Sequence, residues 1–327
     1  MKQKNVFVTR RIPEEGIGIL QRSCQVEVSD YDGVLPREIL LHKVAGRDGI
    51  LPLLTDTIDS EIMDAAGNSL KIIANYAVGY NNIDVYAATQ RGIMVTNTPG
   101  VLTETTADLA WALLMCCSRR INESERYLRT GKFRGWEPLL FLGTDVHGAT
   151  LGLVGFGRIA KAMARRASGF DMRVRYYDMN RVGQEEEEKY HVEYQSLGAL
   201  LRESDFVSLH IPLTKETHHF IGEKELKQMK KEAYLINTAR GPIVDEKVLV
   251  RALQEGWIRG AGLDVFEQEP AVEADLLRME NVVVVPHIGS ASYATRTKMA
   301  TMAAENLIKA LEGTIPPNLV NPEVLKR

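Results

Sequence analysis

The chain alternates short runs rich in valine and isoleucine with stretches of helical periodicity, almost from end to end. Alternation of this kind is typical of parallel sheets built from strand–helix–strand crossover units. One series of runs extends from residues 6–9 (VFVT) to residues 94–97 (MVTN), and a second extends from residues 150–155 (TLGLVG) to residues 282–286 (VVVVP). The pattern therefore predicts two open α/β domains.

The length of the chain agrees with two domains. It has 327 residues, and single hydrophobic cores stop growing beyond roughly 250–300 residues. A last helical pattern, residues 292–312, follows the second series and can return to the first domain. We predict that residues 101–287 form one domain, which is inserted into another made of residues 1–100 and 288–327.

Charge and hydropathy argue against nucleic-acid and membrane partners. The 43 acidic and 40 basic residues are interspersed and give a formal net charge of -3, so no strongly basic surface is expected. The longest apolar stretch, residues 109–117, is about half a membrane span, and the N-terminal run is too short for a signal peptide. Cys116 and Cys117 are adjacent, which disfavours a disulfide. We expect a cytoplasmic protein with reduced cysteines.

The segment LGLVGFGRIAKAMARRA carries a candidate dinucleotide-binding turn. Gly155, Gly157 and Ala160 spell GxGxxA directly after a predicted strand and at the start of a predicted helix. The first glycine permits the tight turn, the second lets a pyrophosphate approach the backbone, and the alanine allows close helix-to-strand packing. N–H groups at the helix start near Arg158 would face the phosphates. An ordinary glycine turn is the less favoured alternative.

The cofactor predicted from this turn is NAD. Asp178 ends the next predicted strand, near the distance expected for a carboxylate that binds the ribose hydroxyls. Its charge would repel the 2'-phosphate of NADP. Arg181 lies three residues later and could accommodate that phosphate, so NADP stays possible.

Polar groups stand at or just beyond the ends of successive strands of the second predicted domain. They are Arg240, Asp264 with Glu269, and His287. Open α/β sheets bind ligands at the carboxyl ends of their strands. Taken singly, His287 could be a core histidine, and Arg240 and Glu269 could be surface charges. Their joint placement beside a dinucleotide motif favours a catalytic cleft.

Arg240, Glu269 and His287 suit the reduction of a 2-keto acid. This reaction needs a hydride donor, a proton donor and a cation for the substrate carboxylate. Imidazole titrates near neutral pH, so His287 suits proton donation. A nearby Glu269 would favour the charged form of that imidazole. The planar fork of Arg240 can hold a carboxylate through two parallel hydrogen bonds.

The remaining histidines do not indicate a metal site. His218 and His219 are adjacent, but the sequence offers no carboxylate or cysteine at ligand spacing beside them. We therefore expect no metal.

The chain resembles the D-2-hydroxyacid dehydrogenases over essentially its whole length, and within them it is most similar to glyoxylate/hydroxypyruvate reductases. The resemblance rests on NYAVGYNNID, TPGVLTETTADLA, LGLVGFGRIA, NTARGPIVDE, GLDVFEQEP and PHIGSAS, in that order. It implies an α/β fold in which a Rossmann-type, doubly wound parallel sheet is inserted into a flavodoxin-like substrate domain. It also implies reduction of glyoxylate or hydroxypyruvate to the D-2-hydroxy acid with NADH or NADPH, by a homodimer whose arm carries Trp136.

The resemblance also implies roles for site residues. Arg240 would bind substrate, Glu269 would orient and charge His287, and His287 would deliver the proton to the keto oxygen. The substrate would further contact residues of the first domain, namely Leu53, Val78 and Gly79. The cofactor would contact residues of the second domain, namely Thr106, Gly155, Gly157, Arg158, Ile159, Asp178, Ile211, Pro212, Thr217, Thr238, Ala239, Asp264 and Gly289.

Two alternatives stay open. Some relatives with the same catalytic residues act as NAD-binding regulators of protein partners, and others act on D-3-phosphoglycerate or phosphite. Ala160 replaces the third glycine of the usual motif, at a position that serves packing. Val78 stands where phosphite dehydrogenases have a lysine, which argues against phosphite.

Overall fold

A computed structural model describes residues 3–326 of the chain. The strands are β1 (Lys4–Val8), β2 (Cys24–Val28), β3 (Gly49–Leu51), β4 (Ile72–Ala74), β5 (Met94–Thr96), β6 (Thr150–Val154), β7 (Arg173–Tyr177), β8 (Val192–Tyr194), β9 (Phe206–Leu209), β10 (Tyr234–Asn237), β11 (Gly260–Leu263) and β12 (Val282–Val284).

The helices alternate with these strands. They are α1 (Glu14–Gln21), α2 (Arg37–Val44), α3 (Ser60–Ala66), α4 (Val85–Gln90), α5 (Thr103–Ser118), α6 (Ile121–Arg129), α7 (Arg158–Ser168), α8 (Gln184–Tyr190), α9 (Leu197–Glu203), α10 (Glu223–Leu226), α11 (Glu246–Gln254), α12 (Ala274–Arg278) and α13 (Tyr293–Leu311). Short 3-10 turns cover Gly241–Ile243 and Pro322–Lys326.

The chain divides into two compact units. One consists of Met1–Leu102 with Ser290–Arg327, and the other of Thr103–Gly289. The first unit contains a five-stranded parallel sheet with the order β2-β1-β3-β4-β5. This is the flavodoxin-like order. The second unit contains a seven-stranded parallel sheet with the order β12-β11-β10-β9-β6-β7-β8.

The C-terminal helix α13 completes the first unit. Ser292 caps its start, because the Ser292 hydroxyl accepts the Thr295 N–H at 3.1 Å. Its apolar face joins the core that includes Val6 and Val8. Helix α1 packs so closely on it that a Cβ at Gly16 would lie 2.7 Å from Ala300 Cβ. The last helical pattern of the sequence therefore belongs to the first unit.

The sheet of the second unit has the doubly wound order. From β6 the strands run outward through β7 to β8, and the chain then crosses to the other side of β6 and continues from β9 to β12. Every residue of β6, β9, β10 and β11 is buried, which explains their unbroken apolar runs. The α/β fold class with two parallel sheets is confirmed. The runs of the second predicted series were TLGLVG, RVRYYD, FVSLH, AYLINT, GAGLDV and VVVVP. Strand β8 was not among them, because VEY lies between polar residues and forms no continuous apolar run.

The described part of the chain has no helix long and apolar enough to cross a membrane. Cys24 and Cys117 are buried thiols, and Cys116 is half-buried. Burial raises the pKa of all three thiols. They are consequently not activated as thiolates.

Candidate functional site

The turn after β6 contains two glycines, Gly155 and Gly157, and they are needed for different reasons. Gly155 has a φ of +88°, and a Cβ there would lie 2.7 Å from the carbonyl oxygen of His210. Gly157 has a φ of -80°, and a Cβ there would meet nothing within 4 Å. The protein itself therefore requires glycine at position 155. At position 157 the space beside the backbone is open to a ligand.

The start of α7 offers N–H groups to this space. Arg158 is its first residue, and the N-cap Gly157 has no side chain to cap the first turn. Arg158 is exposed, Ile159 is half-buried, and Ala160 is fully buried against the strand. An uncapped helix start with a positive dipole end suits an anion such as a pyrophosphate.

Asp178 lies against the same turn. One of its carboxylate oxygens accepts the Phe156 N–H at 2.8 Å, and the other accepts the Asn180 N–H at 3.1 Å. Arg181, the residue that could have favoured NADP, donates two hydrogen bonds of 2.8 Å to Glu187. The carboxylate therefore faces the cofactor turn, while the guanidinium is held by another acid.

The loops after β9 and β10 carry five further predicted cofactor contacts. Ile211 and Pro212 follow β9, and the Thr217 hydroxyl donates to the Pro212 carbonyl at 2.6 Å. Thr238 and Ala239 follow β10. The Thr238 hydroxyl oxygen is buried and, within residues 3–326, has no hydrogen-bond partner. Such a group is costly unless a ligand or water satisfies it, so the residues present fit a bound dinucleotide.

Asp264 fixes the loop that carries His287. Its two carboxylate oxygens accept the N–H groups of Ile288 at 2.6 Å and Gly289 at 2.8 Å, and its carbonyl accepts the His287 N–H at 2.9 Å. The Thr106 hydroxyl donates to the Gly289 carbonyl at 3.1 Å. Burial raises the pKa of Asp264 to about 6, against the opposing effect of the two N–H donors.

His287 and Glu269 form a direct pair. Nδ1 of His287 donates to Glu269 Oε2 at 2.8 Å, and both side chains are about a quarter exposed. The other oxygen of Glu269 accepts the Phe266 N–H at 3.0 Å. Burial opposes ionisation of Glu269, but the bond to His287, together with the charges of His287 and Arg240, holds its pKa below the ordinary value. The pairing through Nδ1 leaves Nε2 of His287 as the nitrogen that can give a proton to a ligand.

Arg240 follows β10 at the start of the 3-10 turn. The side chain of Asn237 donates to its carbonyl at 2.9 Å, and Arg240 Nη1 donates to the Ala239 carbonyl at 2.7 Å. Desolvation lowers the pKa of Arg240, and the charge of Glu269 opposes that effect. The guanidinium stays charged at neutral pH. Arg240, Glu269 and His287 are thus brought to one edge of the second unit's sheet.

The first unit holds the other predicted substrate contacts in the loop after β4. Side-chain amides of Asn97 and Asn75 donate to the carbonyls of Val78 at 2.7 Å and Gly79 at 2.9 Å. Within residues 3–326, the N–H groups of Val78 and Gly79 donate to no acceptor. They are available to an anion such as a carboxylate. The sequence analysis did not identify Asn75 and Asn97 as residues that position this loop. Asn75 could have been identified from its place in the motif NYAVGYNNID.

Leu53 lies beside this loop within the first unit. It pairs with Tyr76 in a single parallel bridge, and its N–H donates to Asp56 at 2.8 Å. Its side chain is half-buried. The placement suits the predicted pocket role of Leu53.

Comparison with known proteins covers both units. Residues 111–289 match the family described as D-isomer specific 2-hydroxyacid dehydrogenase, NAD binding domain. A glyoxylate reductase of Korarchaeum cryptofilum is 55% identical over 323 residues, which cover 98% of this chain and 97% of that protein.

Solved structures give the same result. The TT0316 protein of Thermus thermophilus matches with a TM-score of 0.91 at 47% identity, over 97% of this chain and 99% of that one. An NADPH-dependent glyoxylate/hydroxypyruvate reductase of Sinorhizobium meliloti, in complex with NADP and malonate, matches with a TM-score of 0.86 at 32% identity, over 99% of this chain and 98% of that one. The similarity therefore extends over nearly the full length of each protein.

Proposed function

Because the chain belongs to the D-isomer specific 2-hydroxyacid dehydrogenases, we propose that it reduces glyoxylate or hydroxypyruvate with His287 as the proton donor. The resemblance seen in the sequence is confirmed, and the protein is an NAD(P)-dependent oxidoreductase. The observation that carries the assignment of His287 is the 2.8 Å bond from its Nδ1 to Glu269. The product is the 2-hydroxy acid, of D configuration where it is chiral.

In this proposal His287 protonates the keto oxygen of the substrate, and Glu269 supports His287. When bound, the reduced nicotinamide supplies the hydride that the carbonyl carbon accepts. The developing alkoxide takes its proton from Nε2 of His287, and the imidazole then returns to its neutral form. Glu269 stabilises the imidazolium before the transfer and holds the ring in one orientation through Nδ1.

Each unit, taken by itself, offers candidate groups for the substrate carboxylate. Arg240 offers a charged, planar fork in the second unit. The N–H groups of Val78 and Gly79 offer two uncharged donors in the first unit. The Sinorhizobium meliloti reductase was solved in complex with malonate, a small dicarboxylate, which agrees with a carboxylate-binding substrate site here.

We further propose that NADH is preferred over NADPH. Asp178 places a negative charge beside the cofactor turn, where a 2'-phosphate would be repelled. Arg181 is bound by Glu187 through two hydrogen bonds, so using it for the phosphate requires breaking that pair.

The proposed assembly is a homodimer formed through the arm, residues 122–147. Helix α6, which leads into the arm, buries none of its residues within the chain. The arm exposes large apolar side chains, Leu128, Phe133, Trp136, Leu139 and Leu142, and Ile121 directly before it is exposed too. Trp136 is 84% exposed, and a concentration of exposed large apolar side chains suits a protein–protein interface. Light scattering should give the mass of a dimer, and Trp136→Glu should shift the population toward monomer.

A panel of 2-keto acids with NADH and with NADPH tests the function. Glyoxylate and hydroxypyruvate should give the highest kcat/KM, and His287→Ala should lower kcat at least about 100-fold with unchanged NADH affinity. Oxidation of neither cofactor with any keto acid would exclude the proposed reaction and favour a regulatory role. Normal turnover in His287→Ala would instead place the proton donor elsewhere.

A further inference from the structure

His218 and His219 meet an acidic residue that is distant in the sequence. One ligand atom from each of His218, His219 and Glu267 lies within 4.8 Å of the others. His219 Nε2 lies 2.9 Å from Glu267 Oε1. Ligands of a four-coordinate Zn²⁺, each bound at about 2.0–2.1 Å, lie about 3.3 Å apart. The His219–Glu267 edge is therefore close to ligand spacing, and the exposed His218 ring has a ligand atom within 4.8 Å of both.

The outer groups match those of a metal centre. A metal-bound imidazole almost always donates its second N–H to a carboxylate or carbonyl, and a metal-bound carboxylate is itself hydrogen-bonded. His219 Nδ1 lies 3.7 Å from Asp245 Oδ2, on the opposite side of the ring from Glu267. Glu267 Oε2 accepts the Glu246 N–H at 3.2 Å. The outer hydrogen bond to Glu267 is therefore formed, and Asp245 lies just beyond hydrogen-bond distance of His219 Nδ1.

The charge balance at this place favours a cation. Asp245 and Glu267 are both carboxylates, and within residues 3–326 neither forms an ion pair with a lysine or an arginine; each faces only His219. The carboxylate of Glu246 is also close, because it accepts the Glu267 N–H at 2.8 Å. A divalent ion would neutralise this excess of negative charge.

Backbone contacts hold together the chain segments that carry the three proposed ligand residues. The His219 N–H donates to the Pro242 carbonyl at 2.8 Å, and the Ile221 N–H donates to the Ile243 carbonyl at 3.0 Å. Gly241 packs directly on the third segment, since a Cβ there would lie 1.9 Å from the carbonyl carbon of Phe266. The three segments therefore meet in a fixed arrangement.

We propose that His218, His219 and Glu267 bind a divalent transition-metal ion such as Zn²⁺, with Asp245 orienting His219. Two imidazoles and one carboxylate are ligands that suit Zn²⁺ and its neighbours better than Mg²⁺ or Ca²⁺. The ion links the loop after β9 to the loop after β11. Glu267 lies two residues before Glu269, so the bound ion restrains the loop that carries the catalytic carboxylate.

Calorimetric titration of ZnCl₂ into the full chain, prepared without a polyhistidine tag and stripped with a chelator, tests this site. We expect saturable binding with one tight site per chain and a rise in the melting temperature, because an ion that binds only the folded state stabilises it. Titration with CoCl₂ should give the visible absorption of a four- or five-coordinate cobalt ion with nitrogen and oxygen ligands. Absence of saturable Zn²⁺ binding would overturn the proposal.

Variants locate the ion. His219→Ala and Glu267→Gln should each abolish the tight site, and Asp245→Asn should weaken it about 10–100-fold. His147→Ala is the matched control, because His147 also faces a carboxylate, Asp171 at 3.6 Å, without a second histidine. His287→Ala controls for the other tight histidine–carboxylate pair.

Both controls should retain wild-type affinity. Circular dichroism and NADH titration establish that each variant is folded. Unchanged Zn²⁺ affinity in both His219→Ala and Glu267→Gln would overturn the site, and loss of the tight site in His287→Ala alone would move the ion to the catalytic pair.

Discussion

Replacing each glycine of the cofactor turn by alanine should separate folding from cofactor binding. At Gly155 the new methyl group should lower the free energy of unfolding for two reasons. A left-handed backbone costs an L-residue about 1–2 kcal/mol, and the residue has a φ of +88°. Overpacking costs about 1–3 kcal/mol, and the methyl group would lie 2.7 Å from a backbone carbonyl oxygen.

The sum for Gly155→Ala is about 3 kcal/mol, within a range of about 2–5. For a unit of this size, each kcal/mol lowers the melting temperature by about 2–4 °C, so we expect a loss of about 6–12 °C. Gly157→Ala meets no atom within 4 Å, and the change at an N-cap costs no more than about 1 kcal/mol. Its methyl group occupies the space that a pyrophosphate needs, so NADH affinity should fall about 10-fold or more, which is about 1.4 kcal/mol.

Thermal unfolding without cofactor and NADH titration by fluorescence measure the two effects. Gly157→Ala should lose no more than about 2–4 °C in melting temperature but should lose NADH affinity, whereas Gly155→Ala should show the larger loss of stability. Equal melting temperatures for wild type and Gly155→Ala would refute the steric argument. Wild-type NADH affinity in Gly157→Ala would refute the placement of the cofactor.

Three further substitutions test the site. Arg240→Lys keeps the charge but loses the planar fork, so KM for glyoxylate should rise about 10-fold or more with NADH affinity unchanged, and a constant KM would exclude anion binding. Asp178→Ala should lower the ratio of kcat/KM with NADH to that with NADPH, and an unchanged ratio would contradict the charge argument. Asp264 has a pKa raised to about 6, so its stabilising contribution is complete below about pH 3.8 and is lost as pH rises through about 6. Relative to Asp264→Asn, the wild-type free energy of unfolding should therefore fall by about 2 kcal/mol between about pH 4 and about pH 7. Urea unfolding at each pH measures this difference. The same pH dependence of the unfolding free energy in both proteins would contradict the prediction.

Periodicity and motif spacing predicted much of the fold because buried parallel strands require continuous apolar runs in the sequence. Strand β8 was missed because VEY contains a glutamate and lies between polar residues, whereas the other three-residue strands lie within longer apolar runs. The start of α7 was predictable from GxGxxA, since the motif itself demands a strand, a turn and a helix.

The contact partners of individual side chains were harder to predict from the sequence than the strands and helices. Arg181 was a candidate for binding the 2'-phosphate, and only the structure places Glu187 beside it. A run of glutamates such as residues 185–188 is typical of solvated surface. Within it, however, Glu186 pairs with Lys161 at 2.5 Å and Glu187 with Arg181. Spacing along a chain cannot give contacts between neighbouring elements of a fold.

The same limit explains why His218 and His219 did not indicate a metal site from the sequence. Their third ligand, Glu267, is 48 residues from His219, far outside any local spacing rule. It becomes a neighbour because β9, β10 and β11 are adjacent parallel strands, and the loops at their carboxyl ends therefore converge.

Three acidic residues at the start of the loop after β11 have three different structural tasks. Asp264 holds the turn of His287 through backbone N–H groups, and Glu269 holds the imidazole ring itself. Glu267 faces His219 and the start of α11 instead. Because the three residues belong to one short loop, a displacement at Glu267 would be transmitted to Glu269 through two peptide units. A restraint on Glu267 therefore improves the definition of the proton donor, and this gives the proposed ion a physical connection to catalysis without any contact with substrate.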